Sequence, residues 1–87
     1  MLQVTNAAKE NLNGAIEKIR QGNTEDAVFR IVEDPSSKLT LTVDTPDPKD
    51  VTFEAEGRTI LVVAEDVAER CEGRTLDDDG KGNLMLI

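Results

Sequence analysis

The sequence predicts a β-rich α+β fold, with an N-terminal helix, a short second helix and strands that are mostly antiparallel. Three observations predict this class. Apolar residues recur at helical spacing near the N-terminus, and segments of alternating polarity fill the middle of the chain. Short turns, rather than helices, connect most of these segments. Because parallel strands need a longer crossover connection, short turns favour antiparallel pairing.

The first predicted element is an amphipathic helix in VTNAAKENLNGAIEKIRQGN, where apolar residues recur every three or four positions. Thr5 or Asn6 can cap its start through a side-chain oxygen, and Gly22 or Asn23 can end it. The apolar face comprises Val4, Ala8, Leu12, Ala15, Ile16 and Ile19.

Two strands are predicted after this helix. DAVFRIVED carries apolar residues on both faces, which is typical of a central strand. DPSSK follows as a turn, since proline and serine favour turns. KLTLTVD alternates strictly, so we expect Leu39, Leu41 and Val43 to face the core and the two threonines to face solvent. TPDPKD is a loop, because its two prolines cannot donate to a strand ladder.

The second half of the chain predicts a β-hairpin, a short helix and two last strands. In DVTFEAEGRTILVV, Gly57 and Arg58 suit a two-residue type II′ turn with glycine in the first central position. AEDVAERCEG predicts a helix with Val67 and Cys71 on its apolar stripe and Gly73 as its stop. RTLDD and NLMLI predict the last two strands, joined across DGKGN.

The length predicts a single domain spanning residues 1–87, since a chain of 87 residues can bury one modest core. Every predicted element contributes to that core. The predicted core comprises Leu12, Ile16, Ile19, Phe29, Ile31, Leu39, Leu41, Val43, Phe53, Ile60, Val62, Val67 and Cys71.

Charge and cysteine content limit the classes of partner. The net charge of −8 disfavours nucleic acid and anionic membranes, which attract basic surfaces, and suits solubility, a protein partner with a basic surface or a high-salt cytosol. The single cysteine cannot form an internal disulfide. No signal-peptide pattern or apolar stretch of transmembrane length is visible, so we expect a cytoplasmic protein. The sequence does not indicate whether the protein forms homo-oligomers.

Catalytic and metal-binding motifs are missing from the sequence. The absence of histidine excludes Ser–His–Asp triads, Cys–His dyads and His-based zinc sites. Asp77 and Asp79 in DDDGKGN fit two positions of a calcium loop, but the glycine is misplaced and the final acid would fall beyond Ile87. We therefore interpret DDDGKGN as a hairpin turn, and we expect no enzymatic activity, no catalytic residues, no cofactor and no metal site.

Cys71 has two interpretations. A reactive thiol needs a cationic, partly exposed setting, whereas the flanking Arg70 and Glu72 cancel each other's charge. The helical phase places Cys71 beside Val67, toward the core. We therefore favour a small buried apolar residue over a reactive thiol.

Several strings resemble the HesB-like family, the A-type iron–sulfur cluster carriers. VTNAAKENL is similar to the family's capped first helix. DVTFEAEGRTILVVAEDVAERCEGRTLDDD is similar to the family's sequence of strand, glycine hairpin, strand, short helix, glycine and Thr-Leu-Asp. The resemblance covers most of the chain, and it implies a HesB-like sandwich.

The same resemblance implies that the family's ligands are absent. The family holds its metal with one cysteine in a Gly-Cys-Ser-Gly-like turn and two in a Cys-Gly-Cys tail, whereas here the turn has no cysteine and we expect no tail after Ile87. Cys71 aligns with an apolar position of the family. Since clusters typically need four thiolates, we expect a non-catalytic relative that does not bind a cluster and acts through protein contacts.

The resemblance also suggests where such contacts form and leaves one alternative open. The expected partner-binding surfaces are the turn and the acidic C-terminal third of the chain. The turn comprises Pro35, Ser36, Ser37 and Lys38. The alternative is an iron or iron–sulfur carrier that uses Cys71 across a dimer, which requires an exposed thiol.

Overall fold

The structure, a computed structural model, describes residues 2–22, 26–36 and 38–87. Within these ranges the chain forms two helices and seven strands. In chain order they are β1 (Gln3–Val4), α1 (Asn6–Gly22), β2 (Val28–Glu33), β3 (Leu39–Asp44), β4 (Val51–Ala55), β5 (Arg58–Val63), α2 (Glu65–Arg70), β6 (Thr75–Asp78) and β7 (Leu84–Leu86).

The strands form two sheets. The four-stranded sheet has the order β3-β2-β5-β4, in which β2 pairs with β3 and β4 with β5 in antiparallel fashion. The three-stranded sheet has the order β1-β6-β7, with β6 and β7 antiparallel. The pairs β2–β5 and β1–β6 are parallel. The predicted α+β class with mostly antiparallel strands is therefore confirmed, and β1 is an element that the sequence did not predict.

The N-terminal helix packs against strands of both sheets through its predicted apolar face, except that Val4 lies on β1 and not on the helix. Ala8, Leu12 and Ile16 are buried, and α1 contacts β2, β4, β5 and β6. Thr5 caps the helix, because its hydroxyl accepts a hydrogen bond from the Ala8 N–H at 3.2 Å. The same hydroxyl donates to Oδ1 of Asp77 on β6 at 2.7 Å, so the cap also ties α1 to the C-terminal strands. The helix ends at Gly22, and the alternative end at Asn23 lies outside the described residues.

The core lies around β5, whose last four residues are all fully buried. Predicted core residues such as Leu12, Ile31 and Cys71 are confirmed there. Other predicted members are partly buried and pack against the core: Ile19, Phe29, Leu39, Phe53 and Val67. Among the described residues, the buried apolar set is Leu2, Ala8, Leu12, Ile16, Ala27, Val28, Ile31, Ile60, Leu61, Val62, Val63, Cys71 and Leu76.

The prediction was wrong for two residues of β3. Leu41 and Val43 are 36% and 46% exposed, although they pair with the inner-facing Ile31 and Phe29 of β2. The alternation identified the correct face, but β3 is the edge strand and lies beyond the strands that α1 packs against. Apolar side chains therefore remain in contact with solvent on the inner face of β3.

The predicted turn type of the β4–β5 hairpin was also wrong. Ala55 pairs with Arg58, so the two central residues are Glu56 and Gly57 rather than Gly57 and Arg58. Both have positive φ, 54° and 78°, which is the pattern of a type I′ turn. A register shift after Phe53 moves the pairing of β5, and simple alternation does not reveal such a shift.

Replacing Glu56 by glycine is expected to raise the free energy of unfolding by about 1 kcal/mol. Glutamate is strained at positive φ, whereas glycine adopts this conformation freely. Glu56 also accepts a hydrogen bond from the Asn13 side chain at 3.3 Å, but this contact is exposed and contributes little. Urea unfolding of Glu56→Gly, with Gly57→Ala as a destabilising control, measures the effect. A loss of stability in Glu56→Gly would contradict the type I′ assignment.

An arginine fork holds the 45–50 loop against the four-stranded sheet. Nη1 and Nη2 of Arg30 donate to the two carboxylate oxygens of Asp50 at 2.7 and 2.6 Å. Nε of Arg30 donates to Asp44 at 2.8 Å, and Nη2 also donates to the Thr45 carbonyl at 3.2 Å. The Asp50 side chain is 3% exposed, so this pair is largely removed from water, whereas the Asp44 side chain is half exposed.

Candidate functional site

The predicted partner-binding turn is organised by one carboxylate. Oδ1 of Asp34 accepts hydrogen bonds from the Ser36 hydroxyl at 2.7 Å and from the Ser36 and Lys38 N–H groups at 2.9 Å. These bonds lower the pKa of Asp34, with the Ser36 hydroxyl as the largest cause. Pro35, Ser36 and Lys38 are exposed, and Ser37 lies outside the described residues. Asp34 therefore anchors the described part of the turn, whose Pro35, Ser36 and Lys38 side chains face solvent.

Basic side chains gather beside this turn. A surface cavity of about 720 Å³, here called the basic cleft, is lined by Lys38, Arg70 and Arg74. Arg70, the last residue of α2, pairs with Glu33 of β2. Arg74 donates a hydrogen bond to the Leu86 carbonyl at 3.3 Å. Glu33 also lines the cleft and offsets the charge of Arg70. Three cations against one carboxylate still make this end locally basic in a chain of net charge −8.

An apolar groove continues from the basic cleft. It has a volume of about 390 Å³ and lies between the inner face of β3 and strand β7. Its apolar lining comprises Ile31, Leu39, Leu41, Leu76, Leu84 and Leu86. Leu39, Thr40 and Leu86 line both cavities, so the groove and the cleft form one continuous depression.

Cys71 lies in the core and not at this surface. Its side chain is 0% exposed, and its N–H donates to the carbonyls of Val67 and Ala68 at the end of α2. Burial raises the pKa of the Cys71 thiol above its usual value; the charge of Arg74 opposes this shift and that of Glu33 adds to it. The thiol is therefore protonated at neutral pH and enclosed, as the helical phase predicts.

The aspartates of DDDGKGN lie at the end of β6 and in the turn that joins β6 to β7. The Asp77 carboxylate accepts a hydrogen bond from the Thr5 hydroxyl. The Asp78 carboxylate accepts hydrogen bonds from the Asn11 side-chain amide at 2.8 Å and from the Gly80 N–H at 2.7 Å. Asp79 accepts the N–H groups of Lys81 and Asn83 at 2.7 and 3.1 Å. The carboxylates of Asp78 and Asp79 thus hold the turn together, and the turn interpretation is confirmed.

The structure supplies two further observations about sites. Across residues 2–22, 26–36 and 38–87, no group of three or more Cys, Asp or Glu side chains is arranged to hold a metal ion. Neither described helix combines the length and the apolar character that a bilayer crossing requires.

Sequence reasoning identified Lys38 but missed the two arginines of the basic cleft. In the sequence, Arg70 was considered only as a charged neighbour of Cys71, and no role was predicted for Arg74. The two are four residues apart across the end of α2, and the fold brings both to the turn through contacts of α2 with β2. That spacing alone gave no indication of the turn's proximity.

Comparison with known proteins bears on the fold. No family model matches the sequence. No curated protein matches it either. Among solved structures, the chain is similar to that of IscA, from a structure described as IscA with the [2Fe-2S] cluster. The TM-score is 0.56 with 17% sequence identity, and the match covers 100% of this chain and 84% of that one. The fold is therefore IscA-like, in agreement with the resemblance in the sequence.

Proposed function

We propose that this chain is a non-catalytic relative of the iron–sulfur cluster carriers that does not bind a cluster itself and acts through protein contacts. One observation carries the proposal: the chain has an IscA-like fold over its full length of 87 residues, and the single cysteine of this sequence, Cys71, is buried in the core. A carrier fold without an accessible thiol keeps the shape of its relatives but lacks their ligand chemistry.

The chemistry of the candidate ligands supports this proposal. Iron–sulfur clusters are held by thiolates, and the burial that raises the Cys71 pKa disfavours the thiolate. Ser36 stands in the turn where the related family has a cysteine, and a serine hydroxyl is far less acidic than a thiol. Its hydroxyl is also engaged with Asp34. The alternative carrier, which uses Cys71 across a dimer, would need an exposed thiol, so the complete burial of Cys71 weighs against it.

Two surfaces are proposed to make the protein contacts. The first is the turn of Pro35, Ser36, Ser37 and Lys38 with the adjoining basic cleft. The second is the acidic surface of α2 and the β6–β7 turn, which suits a partner with a basic surface because the chain carries a net charge of −8. The two surfaces have opposite local charge, so a partner that covers both needs a mixed pattern of charges.

Anaerobic reconstitution with iron and sulfide tests the loss of cluster binding. We expect no visible charge-transfer band that increases with protein concentration after desalting. Ser36→Cys is the matched comparison, since it places one exposed thiol in the turn that carries a cysteine in the related family. A stable band in the unmodified chain would overturn the proposal.

Thiol labelling tests the role of Cys71 separately. In the native protein Cys71 is expected to react with an aromatic disulfide reagent only after denaturant is added, because the thiol is enclosed. The added thiol of Ser36→Cys should react at once in the folded state, which shows that the reagent is active. Rapid native labelling of Cys71 would revive the carrier alternative.

Charge reversal tests the contact surface. Lys38→Glu and Arg74→Glu should weaken binding to proteins captured by the unmodified chain, whereas Lys49→Glu in the 45–50 loop is the matched control. Equal capture by all three variants would remove the turn and basic cleft from the proposal.

A further inference from the structure

The outer edge of β3 lacks the usual protection against pairing with another strand everywhere except at its last residue, Asp44. Its burial falls from partly buried at Leu39 to exposed from Thr40 onward, and its first five residues carry no charge and no proline. The opposite edge strand, β4, is interrupted by a register shift after Phe53 and carries the charged Glu54. Unprotected, exposed edges are templates for a further strand.

The backbone N–H and C=O groups that point outward from this edge belong to the apolar residues of β3. The Asp34 N–H donates to the Lys38 carbonyl at 2.8 Å, which makes residues 34 and 38 a hydrogen-bonded pair. Because such pairs alternate along an antiparallel ladder, Thr40 and Thr42 direct their N–H and C=O groups toward β2. The N–H and C=O groups of Leu39, Leu41 and Val43 consequently point away from the sheet.

The segment from Lys38 to Asp44 is complementary to a second copy of itself that lies antiparallel beside it. With Leu41 on a two-fold axis, Leu39 faces Val43 of the second copy and Thr40 faces Thr42. At the ends, Lys38 faces Asp44 of the second copy, so each end gains a pair of opposite charges. Sliding the register by two residues separates these charges and shortens the overlap.

We propose that β3 pairs with β3 of a second copy of this chain, centred on Leu41, to join two four-stranded sheets into one of eight strands. This proposal does not require the proposed function, although Lys38 belongs to both surfaces. The outward groups of Leu39, Leu41 and Val43 bond across the axis, while their side chains extend the apolar rows that begin with Ile31 and Phe29. The 36% and 46% exposure of Leu41 and Val43 is reduced in the pair.

The second copy fits better than an unrelated partner because of the charges. The chain as a whole carries −8, which repels another copy at long range, so a specific attraction is required. The Lys38–Asp44 pairs provide it at both ends of the same strand. Arg30 already holds the Asp44 carboxylate at 2.8 Å, so that carboxylate is positioned before the second copy arrives. Seven residues of each copy, from Lys38 to Asp44, form a small interface, and we expect a weak, concentration-dependent dimer.

Sedimentation velocity over a concentration series up to about 1 mM tests the association. We expect monomer at low concentration and dimer at high concentration. Leu41→Lys places two like charges opposite each other at the axis and should raise the dimer Kd at least about tenfold. Thr52→Lys adds the same charge to the exposed β4 edge and should leave the Kd unchanged.

Three outcomes of this experiment would overturn the proposal. They are a monomer at every concentration, a dimer that Leu41→Lys leaves intact, or a dimer that Thr52→Lys disrupts equally. Far-UV circular dichroism of Leu41→Lys shows whether the monomer is still folded, which we expect because Leu41 is an exposed edge residue.

Disulfide trapping tests the register. In a hydrogen-bonded antiparallel pair the Cα atoms lie about 5.5 Å apart, within the range that a disulfide spans. Leu41→Cys should therefore form a disulfide-linked dimer under mild oxidation. Leu39→Cys and Val43→Cys each place their two thiols about 13 Å apart along the strands, so they should link far more slowly. Faster linkage at either of these positions, or none at Leu41→Cys, would contradict the register.

Discussion

Replacing Leu61 with alanine is expected to lower the free energy of unfolding by about 3–4 kcal/mol. Leu61 is 0% exposed and lies on β5, where it pairs with Phe29 of β2 on one side and Phe53 of β4 on the other. The substitution removes apolar contacts and leaves a cavity that the surrounding strands cannot close. Since small domains are stable by about 5–15 kcal/mol, this loss is a large share of the total.

Leu41→Ala is the matched control, because the same atoms are deleted from a residue that is 36% exposed. We expect a loss below about 1 kcal/mol, since most cavity cost disappears at an open surface. Urea unfolding followed by far-UV circular dichroism measures both variants, as the chain has no tryptophan or tyrosine for fluorescence. The protein is kept at low micromolar concentration to avoid self-association. Equal losses would contradict the exposed position of β3.

Replacing Asp50 with asparagine is expected to lower the free energy of unfolding by about 2–3 kcal/mol at pH 7. The substitution removes the bidentate ion pair with Arg30. The Arg30 side chain is only 14% exposed, and Asp44 is then its remaining carboxylate partner. Asp44→Asn is the control and should cause a smaller loss, because its carboxylate is half exposed to water. A larger loss for Asp44→Asn would contradict this ranking.

The Asp50 contribution also depends on pH in a defined direction. The Arg30 guanidinium lowers the pKa of Asp50 below its ordinary value, so the folded state favours the carboxylate. The resulting stabilisation is complete above the unfolded pKa of about 3.9 and is lost as pH falls through the lower folded pKa. The difference in unfolding free energy between the unmodified chain and Asp50→Asn should therefore shrink below about pH 4. A difference that stays constant from pH 7 to pH 2 would show that Asp50 does not act as a charged partner.

Local patterns in the sequence predicted the elements well, but they did not predict what covers each face. Alternation in β3 correctly grouped Leu41 and Val43 on one side, yet coverage depends on where α1 lies, which is a property of the whole fold. The two-residue strand β1 carries too little pattern to be recognised, and it exists because β6 pairs with it. The type I′ turn at Glu56 depends on a register shift that no short pattern encodes.

The candidate site likewise combines residues that local sequence patterns predict with residues that only the whole fold brings together. The sequence indicated Lys38 because turn chemistry and family resemblance both point to residues 35–38. It could not indicate Arg74, which reaches the turn only because α2 packs against β2. Cys71 was placed correctly, since helical phase is a local property that tertiary structure here leaves unchanged.

The parallel pairing of β1 with β6 has a consequence for how the chain folds. Gln3 lies beside Thr75, and the Thr5 hydroxyl bonds to Asp77, so contacts of the first residues are separated by about seventy positions in sequence. Such a high sequence separation slows folding, because the entropy of a long loop must be lost before those contacts form. On the ribosome, α1 can form early, but its apolar face has to wait for β5 and β6 to be synthesised. Until then the apolar face of α1 remains exposed to water and open to non-native contacts.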